Sequence, residues 1–355
     1  MGKMMEGIHG GDVYRNHVEI DFSVNINPLG TPAAAKKALE EAAADCGRYP
    51  DITAGLLKKA VGKMLGMPEE YLLFGNGASE LFMACVHGIR PKRTVIPVPS
   101  FYGYEYAAGA WGGETVFYEM KEETGFCPGK ELFAMLTEEV DLLFLANPGN
   151  PAGSLMKKEY LEELLERCRA YGIYVVLDEC FIEFCAQNPS MLKEVERLPN
   201  MIIVRAFTKI FAIPGVRLGY LLCSDRTIRE KIGRQLPEWN ISVFAQKAGW
   251  ACAKEEEFLK ETIGYVEKER LFLAKGLTRL GIRVISGEAN FLLVYSEKDL
   301  YGILLGEGIL IRDCRNFRGL SEGFYRIAVR TREENERLLD IAGLCLKEKR
   351  EKWVR

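Results

Sequence analysis

Histidine is scarce here, three in 355 residues, and the ten cysteines are scattered without a C-x-x-C pair. That composition argues against structural zinc and against a disulfide framework. No metal site is expected, and the thiols read as small core fillers of a reduced, cytoplasmic chain. No apolar run approaches the ~18 residues of a membrane span, and Met1–Gly11 holds no apolar stretch of signal-peptide length. Charge of one sign is missing too: Lys+Arg 47 against Asp+Glu 50 leaves −3. Neither a nucleic-acid surface nor an anionic-membrane surface is expected from that balance. There is no internal repeat and no low-complexity segment. What is present is the balance of an ordinary globular chain, 48% hydrophobic and 27% charged. Its length exceeds the size at which a single core stops growing, so two lobes are expected.

From Tyr71 to Cys223 short apolar runs alternate with helix-length stretches: Tyr71–Phe74, Thr94–Val98, Asp141–Ala146, Ile173–Leu177, Met201–Ala206 and Leu218–Leu222. Continuous runs without alternation belong to strands buried on both faces of a mostly parallel sheet. Lys157–Tyr171 has helical spacing, with Leu161, Leu164, Leu165 and Cys168 on one face. After Pro237 the texture changes. A charged helical stretch over roughly Ser242–Leu280 precedes strands at Asn290–Tyr295, Ile309–Arg312 and Tyr325–Val329. A last helix opens on Thr331 and Glu334, spaced as a capping box. The expected division is a large α/β domain over 46–238, with 1–45 and 239–355 forming a smaller α+β domain.

Four features fall at the C-terminal ends of expected strands, the edge at which open α/β sheets bind ligands. Gly75-Asn76-Gly77-Ala78-Ser79-Glu80 is either a tight strand–helix turn or an anion cradle, since glycines admit an anion to the free N–H groups of a helix start. Ala146-Asn147-Pro148-Gly149-Asn150-Pro151 is a rigid loop that would hold a side-chain amide still, that of Asn147 or Asn150. Asp178 ends an all-apolar strand, where a carboxylate must be paired. Its partner is either the start of the next helix or a buried cation such as a protonated pyridine nitrogen. Lys209 follows Thr208 and precedes Arg217 by eight residues. A partly desolvated lysine amine can condense with an aldehyde, and the hydroxyl and guanidinium can hold a phosphate.

In that order, these motifs resemble the fold-type I pyridoxal-phosphate (PLP) enzymes, the aminotransferase superfamily, over nearly the whole chain. The resemblance implies an α/β fold with a mostly parallel seven-stranded sheet between helices. It implies that Lys209 carries the cofactor and that Asp178 meets its ring nitrogen. Asn150 would meet the ring hydroxyl, Phe101 would stack on the ring, and Phe181 stands where aminotransferases usually carry a tyrosine. The cofactor phosphate would sit among Gly77, Ala78, Ser79, Thr208 and Arg217. Tyr49 would reach the phosphate of a neighbouring subunit, which implies a homodimer.

Within the superfamily, His9-Gly10-Gly11, the segment Asp21–Gly30, Ile311–Leu320 and Tyr325–Arg330 together look like the threonine-phosphate decarboxylases of cobalamin synthesis. That resemblance implies a small phosphorylated amino acid as substrate, met by His9, Gly10, Asn27, Arg312, Arg326 and Arg330. Arg326 would clamp the carboxylate. Arg330 replaces the glycine of the aminotransferase pattern and would meet the phosphate. The alternatives are an aminotransferase for a phosphorylated substrate such as histidinol phosphate, or a PLP-fold protein kept for binding without catalysis.

Overall fold

The structure, a computed structural model, describes residues 9–187 and 189–351; the reading of Met1–Gly11 therefore lies largely outside it. A seven-stranded sheet runs in the order Leu72–Gly75, Gly219–Leu222, Met201–Ala206, Tyr174–Asp178, Leu142–Ala146, Arg93–Val98, Glu114–Glu119. All neighbours are parallel except Gly219–Leu222, which is antiparallel to both strands beside it. The expected α/β architecture is therefore present, and the inner strands are the expected unbroken apolar runs. Glu114–Glu119 is absent from those runs because it lies at the sheet edge. Its Glu-Thr-Val-Phe-Tyr-Glu is exposed at both ends and only half buried between them, so it lacks the signature of a strand covered on both faces.

Helices on both faces complete this core. Lys158–Ala170 buries Leu161, Leu164, Leu165 and Cys168, each fully buried leucine contributing about 1.5–3 kcal/mol. Ala35 of the helix Ala33–Ala42 and Ala245 and Ala248 of the helix Val243–Cys252 join the same core. The long charged stretch after Pro237 is two helices, not one. Val243–Cys252 is capped by Ser242, whose hydroxyl accepts from Ala245 N–H, and Glu256–Arg279 follows after a short break.

A second sheet of four antiparallel strands carries the other lobe, in the order Arg312–Asp313, Phe324–Ala328, Phe291–Tyr295, Arg283–Ile285. Leu292, Val294 and Ile327 pack there against Leu273, Leu277 and Leu338. The expected single strand Ile309–Arg312 is divided at Ile311. Ile309–Leu310 pairs in parallel with Ile20–Asp21, while Arg312–Asp313 pairs with Tyr325–Arg326. The final helix, Arg332–Glu351, starts with the expected capping box: Glu334 Oε2 accepts from Thr331 N–H at 3.0 Å, and Thr331 Oγ1 accepts from Glu334 N–H. Among the described residues no helix is long and apolar enough to cross a membrane, and no cluster of metal-ligating side chains occurs.

Candidate active site

Parallel strands deliver their C-terminal ends to one edge of the sheet, so motifs that follow different strands meet there. At that edge the strand ends, the start of the helix Ala78–Ile89 and residues of the smaller lobe enclose a cavity of about 750 Å³. Lys209, Thr208, Asp178, Phe181, Asn150 and Phe101 line it. Ala78, Ser79 and Arg217 do so from the glycine-turn side, and His9, Gly10, Arg312 and Arg326 from the opposite side.

Lys209 sits in the one-turn helix Phe207–Ile210, directly after the strand Met201–Ala206. Burial, reinforced by the Arg326 charge, pulls its amine down to about 8, so a useful fraction is neutral near physiological pH. Asp178 ends its strand with one carboxylate oxygen accepting from Cys180 N–H at 2.9 Å and the other from the Tyr104 hydroxyl. Burial raises its pKa, and these two donors oppose the rise. Among the described residues no cation lies at ion-pair distance from it.

On the glycine side, Gly77 takes a φ of +79° as the residue before the helix. A Cβ there would collide with the Arg217 guanidinium, so glycine is what allows the arginine to lie across the helix start. The N–H groups of Ala78 and Ser79 belong to the first turn and have no intrahelical acceptor. Arg217, itself at φ +61°, is steadied by the carbonyls of Pro214 and Asn76. These residues suit the demands of PLP. There is a partly neutral amine for its aldehyde, a buried carboxylate without a cation for its ring nitrogen, and a cationic helix start for its phosphate.

On the opposite side, Arg312 and Arg326 stand directly across the antiparallel ladder from each other. Each is 7% exposed. Like charges placed this way repel, yet neither has a carboxylate at ion-pair distance among the described residues. Arg326 donates to Asn150 Oδ1 at 2.6 Å and to Ser23 O at 2.8 Å, and burial pulls it down to about 10. Arg312 donates to Asn316 Oδ1 at 2.8 Å, lies over the Phe317 ring, and is likewise lowered by burial. His9 is lowered by its own burial and by the two arginines. Gly10 lies against the Ser23 carbonyl, where a Cβ would not fit.

Two expected substrate residues are elsewhere. Asn27 is fully engaged in structure: its amide donates to Ile210 O at 2.7 Å and Thr262 Oγ1 at 2.8 Å, and its oxygen accepts from Leu29 N–H. It supports the Lys209 segment from behind instead of facing substrate. Arg330 lies past the end of its strand, not on it, and donates to Glu334 Oε1 at 2.9 Å. It does not line the cavity, because the chain there has already turned into the capped final helix. Tyr49 is 83% exposed and packs on Trp239, away from its own chain's cavity. Other residues here were not singled out by the sequence, although three of them fall within the segment Ile311–Leu320. They are Tyr104, and the loop residues Arg315, Asn316 and Arg318, which line the cavity. Arg318 reaches the other lobe, donating to Glu105 at 2.9 Å and covering the Phe117 ring.

Known proteins resemble this chain in sequence and in fold. The chain is 34% identical to the threonine-phosphate decarboxylase of Salmonella typhimurium over 90% of this chain and 89% of that one. The structure of the histidinol-phosphate aminotransferase from Clostridium acetobutylicum superposes with a TM-score of 0.87 and 32% identity, covering 93% and 99% of the two chains. That of L-threonine-O-3-phosphate decarboxylase from Porphyromonas gingivalis gives 0.81 and 25%, covering 92% and 98%. Residues 18–341 match the family model for aminotransferase class I and II, and the chain belongs to that family of PLP enzymes.

Proposed function

We propose that this chain decarboxylates L-threonine O-3-phosphate to (R)-1-amino-2-propanol O-2-phosphate. The observation that supports it is the pair Arg312 and Arg326, two buried arginines opposite each other on the ladder beside the Lys209 cavity, without a carboxylate partner among the described residues. A substrate carrying a carboxylate and a phosphate supplies both missing anions. In this reading Arg326 takes the carboxylate in bidentate fashion. Arg312 and His9 take the phosphate, with Gly10 allowing close backbone approach.

Asp178 would hold the cofactor ring nitrogen, Asn150 Nδ2 the ring oxygen, and Thr208, Arg217 and the Ala78–Ser79 N–H groups the phosphate. Phe101 and Phe181 would wall the ring. When bound, PLP supplies the electron sink that lets a bond at the substrate Cα break. The choice of bond belongs to the protein. Arg326 and Arg312 grip the two ends of the substrate and so set which bond at Cα stands perpendicular to the ring. Lys209 Nζ would hold the cofactor aldehyde and, once freed, would deliver to Cα the proton that replaces the carboxylate lost as CO2. The Arg318–Glu105 contact and the Phe117 and Phe317 rings line the same cavity. The active unit in this reading is a homodimer, with the exposed Tyr49 directed to the partner's cofactor phosphate.

The test is to incubate the holoenzyme with L-threonine O-3-phosphate alone, and separately with histidinol phosphate plus 2-oxoglutarate. CO2 release without a 2-oxo acid is the expected result. Glutamate formation without CO2 would make the chain an aminotransferase, and borohydride tagging of no lysine would leave it a binding protein.

A further inference from the structure

The Asp178 and Lys209 strands part company just where the two functional residues begin. Their last backbone pair in register is Asp178 with Val204, closed by Glu179 N–H donating to Val204 O at 2.9 Å. Beyond it, Phe207 N–H turns away to Leu218 O. The next rung is made of side chains. Arg205 Nη2 and Nε both donate to Glu179 Oε2, at 2.7 and 3.1 Å, and Nη2 also donates to Ser190 Oγ at 2.6 Å. Ser190 Oγ donates in turn to Glu179 Oε2 at 2.8 Å, and Met191 N–H to Oε1 at 2.9 Å. The pair is fully desolvated, with side chains 5% and 0% exposed, and Arg205 Nη1 also donates to Glu183 Oε1 at 3.4 Å.

Alternation along a strand puts neighbours on opposite faces. Asp178 and Ala206 line the cavity, so Glu179 and Arg205 lie beneath it, on the other face of the sheet. Their face borders a separate cavity of about 530 Å³ lined by Arg205, Ser190, Glu183 and Tyr220. Buried ion pairs are poor sources of net stability, since well-packed apolar side chains of similar volume do as well or better. What such a pair does provide is fixed geometry, because a guanidinium fork accepts a carboxylate in few arrangements.

We propose that Glu179, Arg205 and Ser190 are positioning residues: they lock the two strand ends together so that Asp178 and Lys209 address the same cofactor. The inference rests on the assignment of those two residues to the cofactor.

The experiment replaces the pair with apolar side chains, E179L/R205M, and separately removes the bridging hydroxyl, S190A. Holoenzymes are compared for PLP dissociation by absorbance, for kcat and KM, and for melting of the cofactor-free protein. E179L/R205M also strands the mostly buried Glu183, which loses its contact with Arg205, so its melting temperature should fall below the parent's. Its PLP affinity should be lower by roughly tenfold to a hundredfold, and kcat should fall with little change in KM. S190A should fold normally and lose about three- to tenfold in PLP affinity, since one neutral hydrogen-bonding group is removed. Parental affinity and kcat in E179L/R205M overturn the proposal. If that variant does not fold, parental values in S190A overturn it. Borohydride tagging of Lys209 in the parent keeps this test separate from the cofactor assignment: no tag there sinks the functional reading, whereas a tag with parental variants sinks only the positioning role.

Discussion

Arg312→Gln separates a binding arginine from a structural one. In the folded chain Arg312 has one side-chain hydrogen bond, to Asn316, an arginine directly opposite it, and 7% exposure. If it meets the substrate phosphate, its removal takes away a charge-assisted contact worth ~1.5–3 kcal/mol in a desolvated site. At about 1.4 kcal/mol per tenfold, kcat/KM for L-threonine O-3-phosphate should fall by roughly ten- to 150-fold. Unphosphorylated L-threonine, which offers that arginine nothing, should lose less than about threefold by the same arithmetic. Stability should move the other way. The variant sheds a buried charge that lacks a carboxylate and relieves repulsion across the ladder, so the ligand-free melting temperature should hold or rise. Arg330→Gln is the control. It breaks an ion pair with Glu334 in which both side chains are 24% exposed, costing at most about 1 kcal/mol of stability, and should spare both substrates. Steady-state CO2 release with the two substrates, together with thermal melting, decides the matter. Equal losses on both substrates for Arg312→Gln, or a clear drop in its melting temperature, would refute the reasoning.

Lys209→Ala should abolish turnover and the borohydride-trapped link while still retaining PLP through Asp178 and Arg217; a tag on another lysine would contradict it. The Lys209 amine sits at about 8 against an ordinary 10.5, so between those values the unfolded chain holds more protons than the folded one. Its contribution to stability therefore rises with pH across that window, and cofactor-free Lys209→Met should show a shallower rise than the parent in pH-dependent melting. Asp178→Asn leaves the ring nitrogen without an anion, and kcat should fall by at least about a hundredfold with KM little changed; a loss confined to KM would argue against that role. Tyr49 is exposed on the single chain. Sedimentation should show a dimer, and Tyr49→Phe should weaken PLP retention by about threefold to tenfold; a fully active monomer would rule its role out.

Much of this molecule could be read without coordinates, for a definable reason. Inner strands of a parallel sheet are buried on both faces, so Leu142–Leu145, Val175–Leu177 and Met201–Val204 stand out as unbroken apolar runs in one dimension. Their C-terminal ends share one edge, so a glycine turn, an Asn-Pro loop, a terminal Asp and a lysine after successive strands have to converge. The tertiary structure decided what depends on partners distant in sequence. Asn27 looks like a ligand in a polar N-terminal motif until Thr262, 235 residues away, takes its amide. Arg312, Arg326 and Arg330 are alike as letters. The end of a strand at Ala328 and a capping glutamate at 334 turn one aside, while a ladder register sets the other two face to face. Tyr104 reaches Asp178 only because a helix turn brings it under a strand 74 residues later. Strand and helix patterns are set by burial, which each stretch of sequence carries in itself. Whether a buried charge is paired is set by geometry between stretches, and here that geometry decides which arginines stand without a carboxylate among the described residues.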